Sequence, residues 1–174
     1  MNKLSKSQIS GKDYTIPSSL DDISAINNFI DFNKDKKIIV VQGLGFVGAV
    51  MSVVCANTPN NEYAVIGVDL PSEDSFWKIA SINDGVFPII SSDKKVEEFY
   101  QSAMSKKNFY ATYDSYAYSV ADSIIVDINL DVQKNATEMN DLIDFDVSMS
   151  GFYSAIKAIG KNCKKDALIL IETT

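Results

Sequence analysis

Residues 38–48 read Ile38-Ile39-Val40-Val41-Gln42-Gly43-Leu44-Gly45-Phe46-Val47-Gly48, and a second apolar run, Tyr63-Ala64-Val65-Ile66-Gly67-Val68, ends in Asp69. A strand, a Gly-x-Gly-x-x-Gly turn, a helix, a second strand and an acid about 20 residues on form a dinucleotide-binding fingerprint. Each part has a physical task. Gly43 allows a tight turn out of the strand. Gly45, without a side chain, lets a pyrophosphate approach the backbone. Gly48 lets the helix pack closely on the strand. The free amides at the helix start, at its positive dipole end, attract phosphate. Asp69 is placed to accept hydrogen bonds from ribose hydroxyls. The glycines alone would fit a turn in any α/β protein; the flanking strands and the acid single out the cofactor reading.

Composition narrows the partners. The 174 residues suffice for one domain with a real core. A net charge of −7 disfavours nucleic acid and anionic membrane surfaces. No apolar run approaches the ~20 residues that span a bilayer, and the N-terminal lysines are not followed by the apolar stretch of a signal peptide. Cys55 and Cys163 are far apart and suggest neither a disulfide framework nor a metal site. A cytoplasmic setting is the expectation. The chain has no histidine, and all 16 of its basic residues are lysines. The commonest general base near neutral pH is therefore missing. So is arginine, the usual partner of an NADP 2′-phosphate, which Asp69 would also repel. The expected cofactor is NAD.

Outside the fingerprint, residues 1–17 are polar and aperiodic and read as a mobile arm or an edge extension. Ser19 is a candidate cap for a helix to about residue 32, with Ile23, Ile26 and Ile30 on one face. Strands are expected at 37–42, 63–69, 108–112, 123–128 and 167–172. Helices are expected at 46–57, 73–82, 93–105 and around Phe152–Ile159, with a short helical stretch at 114–120. Residues 129–146, polar and acidic, read as a loop with some helix. Strands alternate with helices and the central ones are continuously apolar. The expected fold is therefore α/β, a Rossmann-like doubly wound, mainly parallel sheet with helices on both faces. The organisation is an N-terminal arm and extra helix over 1–36 and a Rossmann domain over 37–174.

Further residues sharpen the picture. After the glycine turn and Val68-Asp69 come Ile82-Asn83-Asp84-Gly85 with Pro88, Thr112 with Asp114, Ala121-Asp122 before a strand, and Ile171-Glu172-Thr173-Thr174. This order resembles the N-terminal NAD-binding domain of the UDP-glucose/GDP-mannose dehydrogenases, including the UDP-N-acetylmannosamine enzymes, from about residue 37 onward. The family oxidises the C6 hydroxyl of a nucleotide sugar to a carboxylate, using two NAD and a cysteine thioester. By resemblance, Gly43, Gly45, Phe46, Val47 and Gly48 hold the pyrophosphate, Asp69 the ribose, and Thr174 lies near the nicotinamide and the reacting centre. Ile128 and Asn129 stand where the family has a cofactor-lining segment. That segment reads Val126-Asp127-Ile128-Asn129-Leu130 here and lacks the family's usual Thr-Pro pair. Asp127, an acid at the end of an apolar strand, has two readings: a polar group facing the cofactor, or a sign that the strand ends one residue early.

The resemblance also implies that the sugar-binding domain, with the nucleophilic cysteine, a lysine and an acidic residue, is absent, so the chain is expected to bind NAD without turning substrate over. A nucleotide sugar would be a partner only with that second domain, and a homodimer stays open. Cys55, mid-helix among apolar residues, reads as an inert thiol. Cys163, beside Lys164 and Lys165, falls at the sheet edge opposite the ligand side. Trp77, Phe99 and Tyr100 read as core or half-buried surface rather than a stacking platform. The acids Asp141, Asp144 and Asp146 lack calcium-loop spacing. Two other readings remain: the cofactor domain of a hydroxy-acid or hydroxyacyl dehydrogenase, and a non-catalytic Rossmann module.

Overall fold

The computed structural model describes residues 3–19, 21–130, 132–136 and 142–172. Two short antiparallel strands, β1 (Leu4–Lys6) and β2 (Asp13–Thr15), open the chain. Helix α1 (Ile23–Phe32) leads to β3 (Lys37–Gln42), α2 (Phe46–Ala56) and β4 (Tyr63–Val68). Next come α3 (Phe76–Asn83), α4 (Lys94–Lys106), β5 (Phe109–Thr112), α5 (Ala117–Val120) and β6 (Ser123–Val126). An antiparallel hairpin, β7 (Val132–Ala136) and β8 (Leu142–Val147), precedes α6 (Ser150–Asn162) and β9 (Leu168–Ile171).

The main sheet is parallel throughout, in the order β5-β4-β3-β6-β9. The chain winds outward from β3 to β5, then returns to the other side of β3 and winds outward again. This is a Rossmann-like α/β fold. Its direction reverses between β3 and β6, and a crevice opens outside the strand carboxyl ends at such a reversal.

Alternate side chains of the central strands face opposite layers. Ile39, Val41, Val65 and Ile125 pack with Ala49, Val53, Phe76, Ile79 and Tyr100 of α2, α3 and α4. Ile38, Val40, Ala64, Ile66, Ile124 and Val126 pack with Ile26, Ala117, Tyr118 and Ile159 of α1, α5 and α6. Burial on both faces explains why these strands are apolar without alternation. Each fully buried Val or Ile contributes at most about 1.5–3 kcal/mol. Trp77 and Tyr100 are core residues, as expected. Among the described residues no helix is long and apolar enough to cross a membrane.

The loop after α3 shows why it carries Asn83 and Gly85. Gly85 takes a φ of +87°. The Val86 N–H donates to the Ser81 carbonyl (2.8 Å) and the Gly85 N–H to that of Ile82 (3.1 Å), a Schellman closure. The Asn83 amide donates to the Ala111 carbonyl (2.8 Å) and accepts from the Ala111 N–H (3.0 Å), so it acts as a peptide on the free side of β5.

Several expectations are corrected. Residues 4–15 form a hairpin sheet of their own rather than a mobile arm or an extension of the main sheet. Ser5 is fully buried; its hydroxyl donates to the Glu73 carbonyl (2.6 Å) and accepts from the Trp77 N–H (2.9 Å). Asp22, not Ser19, sits at the N-cap of α1 and makes no side-chain cap there. Its carboxylate instead accepts from the hydroxyls of Tyr110 (2.8 Å) and Thr112 (2.6 Å), so a tertiary contact displaces the local one. The segment expected to be a loop with some helix holds the β7–β8 hairpin, and the alternation Leu142-Ile143-Asp144-Phe145-Asp146-Val147 is its signature. β6 ends at Val126 rather than 128. β9 is the last described strand on its side of the sheet, and its four side chains are exposed.

Candidate cofactor-binding site

The four glycines around the β3–α2 turn are glycine for different reasons. Gly43 has a φ of +100°, and a Cβ on it would lie 2.0 Å from the Asp127 carbonyl oxygen. Gly48 is equally constrained, since its Cβ would fall 2.0 Å from the Gly43 carbonyl oxygen. Gly67, in β4, makes room for Leu44, whose side chain would be 2.6 Å from a Cβ there. Gly45 is different. A Cβ there would meet nothing within 4 Å. The protein's own packing does not require that residue to be small, so it leaves bare backbone facing open space.

That space belongs to a cavity of about 600 Å³ outside the carboxyl ends of β3, β4 and β6. Gly43, Gly45, Asp69, Ile128 and Asn129 all line it. Gly45 is also the N-cap of α2 and offers no side-chain acceptor. The first-turn amides have no carbonyl of their own helix to reach and point out of its amino end. Phe46 and Val47 lie in this turn with exposed side chains that do not line the cavity, so only their backbone N–H groups are available to it. Gly48 lies beneath the turn and acts through packing. Thr174 lies outside the described residues.

Asp69 is 8% exposed. Its Oδ2 accepts from the Leu44 N–H (3.1 Å) and pairs with the Lys78 ammonium (2.5 Å), and its Oδ1 accepts from the Leu70 N–H (2.7 Å). The carboxylate is thus held rigidly at the end of β4, and an acceptor position on Oδ1 remains for a ribose hydroxyl. Lys78 was not foreseen from the sequence, because its spacing from Asp69 belongs to no regular pattern.

The opposite wall comes from α6, through Gly151, Ser154, Ala155 and Ala158. Their spacing of i, i+3, i+4 and i+7 was a legible signal of a small-residue face. Also lining the cavity, the buried Tyr118 hydroxyl donates to Gln42 Oε1. Burial, with Asp69 nearby, pushes the Tyr118 phenol well above its ordinary range.

Asp127 lies just past the strand end, which comes two residues before the expected 128. Its N–H still donates to the Gln42 carbonyl (2.8 Å). Its side chain also lines the cavity, and its Oδ2 lies 3.2 Å from where a Gly48 Cβ would be. That oxygen is buried and has no hydrogen-bond partner among the described residues. Burial, and then the charge of Glu172, raise the Asp127 carboxyl above its usual pKa.

The cysteines stand apart from this chemistry. Burial, then Glu172, raise the Cys55 thiol, which keeps it protonated. Cys163 is the C-cap of α6, on the way to the amino end of β9 and away from the cavity. A larger concavity of about 720 Å³ lies between residues 87–91 and α4. It borders neither the glycine turn nor the strand carboxyl ends.

The comparisons with known proteins agree with this geometry. A profile described as the UDP-glucose/GDP-mannose dehydrogenase family, NAD binding domain, matches residues 36–174. No curated protein sequence matches the chain. Among solved structures, an NDP-N-acetyl-D-galactosaminuronic acid dehydrogenase from Methanosarcina mazei Go1 superposes with a TM-score of 0.65 at 26% identity, over 86% of this chain and 30% of its own. A UDP-D-ManNAc dehydrogenase from Pyrococcus horikoshii gives 0.60 at 23% identity, over 79% and 28%. A GDP-mannose dehydrogenase from Pseudomonas aeruginosa gives 0.57 at 23%, over 78% and 28%. The chain spans less than a third of the length of each of these. It belongs to the UDP-glucose/GDP-mannose dehydrogenase family, as that family's NAD-binding domain.

Proposed function

We propose that this chain holds NAD for the oxidation of a nucleotide sugar's C6 alcohol to a carboxylate. The observation that carries the reading is the open backbone of Gly45 at the start of α2, beside Asp69 at the end of β4. Phosphate would lie on the α2 amides, the adenosine ribose on Asp69, and the nicotinamide half towards Ile128, Asn129 and α6. Bound NAD supplies the hydride acceptor. The chain's own residues supply binding, orientation and a largely apolar wall that limits water. Residues 37–174 constitute this cofactor unit, residues 1–36 form an N-terminal arm and extra helix outside it, and Thr174 is proposed to stand near the reacting centre. A cytoplasmic setting belongs to the same proposal.

We further propose that this chain turns nothing over unaided. Hydride transfer to a bound nicotinamide needs a positioned alcohol and a base for its proton, and the thioester route needs a cysteine. No cysteine is among the described residues lining the cavity. A sugar-binding domain would have to bring one.

Calorimetric titration tests the reading. The chain should bind NAD, and NADP more weakly. Gly45→Val should abolish binding while the protein still folds, with a loss of only about 1 kcal/mol from the N-cap, since a Cβ there meets no protein atom within 4 Å. Unaltered affinity in Gly45→Val, or a preference for NADP, would sink the site as drawn. Incubation with UDP- or GDP-sugars and NAD should yield no NADH; sustained NADH formation would overturn the need for a second domain.

A further inference from the structure

We propose that Asp127 is a proton-controlled gate on the dinucleotide site: its neutral carboxyl admits the diphosphate beside the α2 amides, and its carboxylate turns the diphosphate away. The inference rests on the NAD reading and goes beyond it, because nothing in a dinucleotide fingerprint requires an acid here.

The geometry is specific. Asp127 is clamped under the glycine turn, its backbone carbonyl against Gly43 and its Oδ2 against Gly48. The same side chain lines the cavity that Gly45 opens into. Its buried oxygen receives no hydrogen bond from any described residue. Among the described residues Oδ2 has no donor, so a carboxylate in that position draws on the positive end of α2, the feature a diphosphate would use. Two anions would therefore compete for one set of dipoles at short range, beside the half-buried Asp127 carboxyl. Protonation removes the competition and makes the carboxyl a donor towards a phosphate oxygen.

The charged and titratable surroundings leave Asp127 as the responsive group. α2 presents no charged residue in its first turn. The end of β9 contributes Glu172, which favours the protonated state of Asp127. The end of β4 contributes Asp69, already paired with Lys78 of α3. The hydroxyl of Tyr118, on α5, is bonded to Gln42 of β3, and burial first of all raises the phenols of Tyr118 and of Tyr113 beyond β5. α6 contributes Ser150 and Ser154 to the cavity and no charge. Bound diphosphate would favour the proton on Asp127 still more, so binding takes up a proton over the interval between the free and bound states.

The test is NAD affinity between about pH 5 and about pH 8, measured by calorimetry in buffers of different ionisation enthalpy so that proton uptake is counted. Wild-type affinity should fall with rising pH, by up to about tenfold per unit, with uptake of up to about one proton. Asp127→Asn, neutral and of the same shape, should bind without pH dependence or proton uptake, and more tightly than wild type at the alkaline end. Glu172→Gln should keep the fall in affinity and move it to lower pH. A wild-type slope retained in Asp127→Asn, or binding to wild type with no proton uptake, overturns the gate while leaving the NAD site standing. Loss of NAD binding at every pH in a folded Asp127→Asn also overturns it, since the carboxyl would then be an obligatory contact. Absence of binding in every protein at every pH sinks the NAD reading and the gate together. Should Asp127→Asn fail to fold, proton uptake by wild type and its shift in Glu172→Gln decide the matter.

Discussion

The Lys78 ammonium sits 2.5 Å from Oδ2 of Asp69, with the two side chains only 18% and 9% exposed. The pair joins the first turn of α3 to the end of β4. It turns a strand-end acid into a fixed acceptor, since the Leu44 and Leu70 amides hold the same carboxylate from the turn. Lys78→Met keeps the aliphatic stem and removes the charge. It should lower stability by about 1–3 kcal/mol, because Asp69 would retain its burial with only backbone donors to offset it. Urea unfolding of the two proteins measures this, and an unchanged midpoint would show that the pair contributes nothing net.

The glycines should separate stability from binding. Gly43→Ala must place a methyl against the Asp127 carbonyl at a positive φ, and should cost about 3 kcal/mol or more. Gly48→Ala should likewise destabilise, through collision with the Gly43 carbonyl. Gly45→Ala meets no neighbour and should cost only about 0.5–1 kcal/mol, the difference between glycine and alanine at an N-cap. Comparable losses at all three positions would contradict the open space found at Gly45.

Ser5 offers a test of how the N-terminal hairpin is attached. Ser5→Ala removes the acceptor of the Trp77 N–H and the donor to the Glu73 carbonyl, both at a buried contact. The expected loss is about 1–3 kcal/mol, the cost of a buried amide left without a partner. Amide exchange at Trp77 should accelerate. Exchange that stays slow would mean the hairpin is held by its apolar contacts alone.

A pH dependence of stability is expected from Asp122. Burial disfavours its charged form, but the Ile38 N–H and the Lys164 ammonium outweigh this and draw its pKa below the ordinary carboxylate value. A depressed folded-state pKa means that the contribution is fully present above the unfolded value near about pH 4 and fades as pH falls through the folded value. Asp122→Asn should therefore be less stable than wild type at neutral pH, modestly so because the pair is partly exposed. The gap should close in acid. A gap that is constant down to acid pH would assign the effect to shape rather than charge.

Much of the core was legible because it rests on local rules. The runs at 37–42 and 63–68 are apolar on both faces, which only a strand between two helical layers requires. The glycine turn carries its own constraints, and Asp93 caps α4 through the Lys95 N–H as a local signal should. What failed to show was made by distant partners. Asp22 answers to Tyr110 and Thr112, far along the chain, and not to its own helix. Ser5 is buried only because α3 passes beneath it. In the site, Gly43, Gly45 and Asp69 were found as a motif and Ile128 and Asn129 by resemblance, whereas Lys78 and the α6 face were missed.

The sequence by itself determined the alternation of strands and helices, the turn that must be glycine and the acid that closes the second strand, because these depend on backbone sterics and on periodicity within a few residues. Only the tertiary structure decided that Lys78 holds Asp69, that α6 forms the second wall, and that Asp127 turns a buried oxygen towards Gly48 beneath the glycine turn. Those relations depend on which strand ends lie side by side, and in a parallel sheet neighbouring ends are brought together by whole crossovers that no local pattern records.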